Sequence, residues 1–136
     1  MSVRISDLGE LQLAVLNVLW SCQEAVTVHE VLAGFPTERK LAYTTILTVL
    51  RNLEKRGLVA HTAAPGARMF RYRPLLTVEE ARRALLQDLL QRLFDGSPVL
   101  LVSQLLTLDG WSLEDLRAIR EVVKAQERAL SEESAS

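Results

Sequence analysis

Between Thr27 and Arg73 this chain sets out a capped short helix, a second helix with one apolar and one polar face, and a basic two-stranded hairpin, one directly after another. From Tyr43 to Arg56 the apolar residues Ile46, Val49, Leu50 and Leu53 recur at i, i+3, i+4 and i+7, which is one stripe of an α-helix. Gly57 follows a last turn that holds Lys55 and Arg56. A glycine there supplies the left-handed residue that closes a helix, and the cations suit the negative end of its dipole. Upstream, Thr27-Val28-His29-Glu30 fits a capping box, in which the hydroxyl accepts from the third amide and the carboxylate reaches back to the first. The short helix that it opens runs through Val31 and Leu32 to about Gly34, and Pro36 prevents its continuation. Downstream, Leu58 to Thr62 and Met69 to Arg73 have strand-like content, with turn chemistry at Ala64-Pro65-Gly66 between them. This order is the winged helix-turn-helix plan. Its turn from Pro36 to Ala42 is several residues longer than the roughly three or four of the minimal motif.

The polar face of the second helix is the candidate reading surface. At about 100° per residue, Thr44, Thr48, Arg51 and Lys55 fall within roughly 60° of one another, flanked by Asn52 and Leu47. Hydroxyl, amide and guanidinium groups bond base edges and phosphates, and an exposed leucine can meet a thymine methyl in the major groove. In the second strand Phe70 and Tyr72 alternate with Arg71 and Arg73, so that one face packs on the helices and the other presents cations. Arg68 lies nearer the hairpin tip. A solvated helix face and a solvated hairpin are the plain alternatives, and the same scaffold can present its polar helix to an acidic protein instead of DNA.

Net charge conceals this polarity. The 136-residue chain carries a formal charge of only −1, yet residues 37–73 hold eight Lys/Arg against two Glu, a net +6. Residues 76–136 hold seven Lys/Arg against eleven Asp/Glu, a net −4. The positive charge is concentrated where phosphate contacts are expected.

A hydrophobic fraction of 49% suits an ordered protein with a real core. The first helix, about Glu10 to Ser21, has one apolar stripe of Leu11, Val15, Val18 and Leu19 and a second of Leu13, Leu16 and Trp20, so it should be covered on two sides. The single cysteine, Cys22, reads as a buried thiol and excludes an internal disulfide. Residues 1–7 lack the apolar run of a signal peptide, and Val99 to Leu108 is far shorter than the roughly 20 residues that span a bilayer, so no membrane insertion and a cytoplasmic location are expected. His29 and His61, with Cys22, lack metal-ligand spacing, and no nucleophile-histidine pair or glycine-rich phosphate loop stands out. No enzyme activity, metal or cofactor is expected.

After Pro74 the pattern becomes purely helical. Thr77-Val78-Glu79-Glu80 opens a long helix with Ala81, Leu85, Leu86, Leu89, Leu90, Leu93 and Phe94 inward, closed by Gly96. Ser97-Pro98 starts a second helix, and Ser112-Leu113-Glu114-Asp115 a third, with Leu116, Ile119, Val123 and Leu130 on one side. The middle helix, Val99 through Leu106, is apolar nearly all round, more than so short a segment can cover by itself. A second copy of the chain would cover it. The dimerisation residues are then Leu89, Leu93, Leu100, Leu101, Leu105, Leu116, Ile119 and Val123. The expected architecture is mainly α: a winged helix-turn-helix domain over residues 1–75, a three-helix dimerisation segment over 76–130, and a flexible tail over 131–136.

Taken together, Leu8-Gly-Glu-Leu-Gln-Leu-Ala-Val-Leu-Asn-Val-Leu-Trp20, Thr27-Val-His-Glu-Val31, Ala42-Tyr-Thr-Thr-Ile-Leu-Thr-Val-Leu50 and Leu53-Glu-Lys-Arg-Gly-Leu-Val59 resemble the penicillinase-repressor family of winged-helix regulators, the BlaI/MecI type. The likeness covers roughly residues 5–125 and is strongest through the winged helix. It implies a homodimeric repressor on palindromic double-stranded DNA operators, released when a membrane sensor protease pathway responding to a β-lactam leads to a cut in the C-terminal part. The recognition positions that it implies are Thr44, Thr45, Thr48, Arg51 and Asn52, beside Tyr43 and Lys55. Leu41-Ala42-Tyr43-Thr44 stands where some members carry Trp-Ser-Pro-Lys, so the operator sequence does not transfer. Gln104-Leu105 aligns with the Asn-Phe bond cut in those members, and no cysteine after Cys22 matches the pair of the copper-responsive relatives.

Overall fold

A computed structural model describes residues 8–63 and 65–135. Residues 1–7, where no signal peptide is expected, and Ala64 of the hairpin turn lie outside the described residues. The chain divides into two compact units, one ending at Leu89 and one beginning at Leu90. The expected boundary at residue 75 is thus displaced into a helix.

In the first unit α1 (Glu10–Ser21) buries Val15, Leu16 and Leu19 and is covered on both apolar stripes. Cys22 ends it in extended conformation and is half-buried, not fully buried, because it has already left the helix. α2 (Val28–Ala33) is capped by Thr27, whose hydroxyl accepts from the Glu30 amide at 3.2 Å. The Glu30 carboxylate accepts from that same hydroxyl at 3.2 Å, so the box closes through the side chain. Gly34 caps α2 in an ordinary right-handed conformation, φ −75°. Its reason is space: a Cβ there would stand 2.8 Å from Val18 Cγ1. The long turn folds into a 3₁₀ turn, Thr37–Arg39, closed by Lys40 in the left-handed region at φ 51°.

α3 (Tyr43–Lys55) buries the expected stripe of Ile46, Val49, Leu50 and Leu53. Gly57 at φ 80° terminates it, with the Gly57 amide donating to the Glu54 carbonyl and the Leu58 amide to the Leu53 carbonyl. These two bonds form a Schellman motif, and the buried Leu53 and Leu58 supply its apolar contact.

The hairpin pairs β1 (Val59–Thr62) with β2 (Arg71–Pro74) antiparallel, with His61 opposite Tyr72 and Ala60 opposite Arg73. Val26 adds a one-residue third strand, exchanging both backbone hydrogen bonds with Tyr72 at 2.9 and 2.7 Å. Tyr72 is buried and Phe70 is not. The expected shared inward face fails because the ladder ends at Thr62 and Arg71, leaving Met69 and Phe70 beyond it. The fold is the mainly α winged helix-turn-helix that the sequence indicates.

α4 (Val78–Leu93) opens on the Thr77 cap, and its first turns belong to this core through buried Ala81 and half-buried Leu85. Trp20 Nε1 donates to the Leu76 carbonyl at 2.9 Å, fixing the approach to α4. That contact explains why the first unit extends past residue 75.

The second unit holds the end of α4, then α5 (Pro98–Leu106) and α6 (Leu113–Ala135). Gly96 at φ 74° closes α4, and Ser97 caps α5 by accepting from the Leu100 amide at 3.1 Å. Ser112 and Asp115 cap α6 reciprocally at 3.0 and 3.1 Å. Contrary to the expected flexible tail, α6 continues through residues 131–135, where alanine and glutamate favour the helix. No residue from 82 to 135 is buried. Of the expected inward set of α4, Leu86, Leu89 and Leu93 are therefore exposed within the single chain, and Leu90 and Phe94 only half-buried.

Candidate nucleic-acid interface

With Ile46, Val49, Leu50 and Leu53 buried, helical geometry turns the rest of α3 outward. Tyr43, Thr44, Thr45, Thr48, Arg51, Asn52 and Lys55 are all exposed. Thr48 spends its hydroxyl proton on the Thr44 carbonyl at 2.9 Å, which leaves the oxygen lone pairs for an incoming donor. Leu47 is half-buried and lies beside Arg51 in a groove of about 200 Å³, whose far wall is Arg68 and Met69 of the wing. Arg51 and Arg68 are thus the helix and wing cations that one groove brings together.

The other wing arginines diverge. Arg71 turns toward α2, donating to Glu30 Oε1 at 3.3 Å and to the Ala25 carbonyl at 3.4 Å. Its side chain keeps about half its surface open, at 54%. Arg73 is exposed on the same face of β2 as Arg71. Arg68, Arg71 and Arg73 thus lie at the groove, against α2 and toward the hairpin base.

Three contacts escape the sequence pattern. The His29 ring lies 4.6 Å from the ring of Tyr43, joining α2 to the first residue of α3. His61 Nδ1 lies 2.6 Å from Glu54 Oε2, and the His61 amide donates to the same oxygen at 3.1 Å. Phe70 stacks on the His61 ring with centroids 4.4 Å apart. Among the described residues no group of three or more His, Cys, Asp or Glu is placed to hold an ion. Beneath the groove, burial pushes the Tyr72 phenol above its ordinary value, the Glu54 carboxylate adds to this, and Arg51 opposes it.

In the second unit Leu89 at the end of the first, Leu93, Leu100, Leu105, Leu116 and Val123 are exposed, and Leu101 and Ile119 are half-buried. The Gln104–Leu105 bond lies in the last turn of α5, with both side chains exposed. The Gln104 carbonyl accepts from Thr107, and the Leu105 carbonyl accepts from Trp111 Nε1 at 3.1 Å. No helix among the described residues is long and apolar enough to cross a membrane.

The chain is 37% identical over 93 residues to a protein named Transcriptional regulator BlaI from Mycobacterium tuberculosis, in strains CDC 1551 and H37Rv alike. The match spans 68% of this chain and 66% of those relatives, just under two thirds of their length. Among solved structures, a mutant of S. aureus MepR bound to an oligodeoxyribonucleotide superimposes with a TM-score of 0.50 at 19% identity, over 92% of this chain and 81% of that one, a likeness of fold. The model of the Penicillinase repressor family matches residues 8–125, which takes in the winged helix, α4, α5 and half of α6. By that match, and by the BlaI relatives, this chain belongs to the penicillinase repressor family.

Proposed function

We propose that the chain is a DNA-binding transcriptional repressor that acts as a homodimer on palindromic promoter operators. The observation that carries this reading is the division of α3: its apolar face is fully committed to the core, while its polar face stands open beside Arg68 of the wing. Threonine, asparagine and arginine on such a face match base-edge donors and acceptors, and Arg68, Arg73 and Lys55 supply cations for phosphates. The relatives' name, Transcriptional regulator BlaI, supports the same role.

The dimer reading rests on exposed Leu93, Leu100, Leu105, Leu116 and Val123, together a surface too apolar to stay in water. A two-fold pair would present two α3 helices to successive major-groove faces. Release would follow cleavage at Gln104–Leu105, with the membrane sensor protease pathway upstream of it. Because the bond sits in a helical turn tied by Thr107 and Trp111, a protease must first unwind that turn. The protein works in the cytoplasm in this reading and needs no cofactor.

The deciding experiment is a gel shift with the promoter region of the chain's own gene against unrelated DNA of the same length. Preferential retardation of the promoter is expected. Equal or absent binding would favour a winged helix that docks on protein. Exposing producing cells to a β-lactam while following the intact chain and the controlled transcript then tests release: derepression with the chain still full-length would rule out the cut.

A further inference from the structure

The long turn between α2 and α3 builds something that a minimal turn cannot. Folded back as a 3₁₀ turn, it walls a cavity of about 500 Å³ against α2. Small-molecule sites commonly enclose about 300–1,000 Å³ with mostly apolar walls and a few polar groups. Here Leu32, Phe35, Pro36 and Leu41 supply the apolar surface, and Lys40, His29 and Thr37 the polar groups. No carboxylate lines it.

The charges around it are unequally committed. Arg39 lies 5.4 Å over the Phe35 ring and pairs with Glu10 at 3.8 Å. Lys40 makes no ion pair among the described residues. Held in the left-handed region that side chains rarely adopt, it lines a mostly apolar pocket as a cation that no ion pair neutralises among the described residues. An apolar body with one negative group is the complementary ligand.

The cavity also touches the reading surface. His29 lines it and lines the groove holding Arg51 and Arg68, and its ring is the one stacked on Tyr43 at the start of α3. One imidazole is therefore a wall common to both. We propose that this cavity binds a small aromatic carboxylate and that its occupation weakens the DNA binding put forward above, on which this second half rests. A carboxylate beside Lys40 removes positive charge from the +6 segment, and DNA affinity falls with lost positive charge. By linkage, DNA weakens the ligand by the same factor.

The test uses the full chain, with 1-naphthoate as the probe and neutral 1-naphthamide as its control, followed by calorimetry. Saturable binding of one naphthoate per chain is expected, at least tenfold weaker for naphthamide and for Lys40→Gln. Ala33→Phe, placed to fill the cavity from α2, should abolish it, with circular dichroism confirming the fold; should that variant unfold, Lys40→Gln on the exposed turn decides alone. Saturating naphthoate should raise the dissociation constant for a promoter duplex several-fold. Absent binding, equal binding of the amide, or undiminished binding by Lys40→Gln would overturn the site. Naphthoate bound with DNA affinity unchanged would overturn the coupling. A chain that binds naphthoate but no DNA in its absence would support the site and overturn both the DNA reading and the inhibition.

Discussion

His61 reaches back from β1 to Glu54 on α3, its Nδ1 2.6 Å from one carboxylate oxygen and its backbone amide 3.1 Å from the same oxygen. A residue of the wing is thus fastened twice to α3, the helix proposed above to read DNA. The carboxylate and imidazole are each about one-third exposed, so the fastening is felt as geometry more than as charge energy. Glu54→Ala removes the acceptor and should cost about 1 kcal/mol of stability, the scale of one hydrogen bond. Operator binding should weaken further than this, as the wing that carries Arg68 is less firmly held against α3. Glu54→Gln retains an acceptor for the amide and should fall between the two. Urea titration and fluorescence anisotropy on the same variants check both effects, and an Ala variant that binds like the wild type would show that the wing is set elsewhere.

Helix and wing substitutions should differ in kind. Thr44→Ala, Thr48→Ala or Arg51→Ala should cost about 1–3 kcal/mol at particular base positions, whereas Arg68→Ala should weaken all sequences and flatten the salt dependence by about one unit. Arg71→Ala should do less than Arg68→Ala, since Glu30 already holds its guanidinium. A salt series on each variant, with matched and scrambled duplexes, separates the two classes.

The placement of α4 governs where the chain can be cut. A fragment ending at Pro74 loses the Leu76 carbonyl that Trp20 uses and the Ala81 and Leu85 contacts, and should be destabilised by several kcal/mol. A fragment ending at Leu89 keeps them and should fold as a monomer that binds an operator much more weakly than the full chain, having lost the linkage between half-sites. Light scattering and thermal melts on the two fragments check this. Equal stability would deny α4 its place in the core.

Tyr72 makes the core sensitive to alkali. Its phenol is held above the ordinary value of 10.0, so the folded state binds its proton more tightly than the unfolded state does. That contribution is complete below about pH 10 and is lost as pH rises through the folded value. Stability should therefore fall above pH 10 in the wild type, and the fall should be shallower in Tyr72→Phe. Denaturant midpoints measured from pH 8 to 11 provide the comparison.

The helices were legible through periodic stripes or caps: the stripe from Ile46 to Leu53 and the closing Gly57 mark α3, and Ser97-Pro98 and Ser112 open α5 and α6. The hairpin was readable as chemistry but not as register, so Phe70 was placed inward when the ladder stops one residue later. Val26 contributes a single bridge, and one residue has no period to detect. Gly34 marks the helix end in the sequence, yet the Val18 side chain, distant in sequence, is what demands a glycine there. Arg71 with Glu30, and His29 with Tyr43, come together only through the crossing of α2 with the wing and α3, which no local pattern encodes.

From residue 82 to residue 135 no side chain is fully removed from water in one copy of the chain. Isolated helices draw little stability from propensity alone, so the order of that half must be drawn from whatever covers it. If the cover is the second copy proposed above, its melting point is no fixed attribute of the polypeptide but rises with the logarithm of protein concentration. Scarcity alone would loosen such a protein, and gene dosage would enter its folding equilibrium directly.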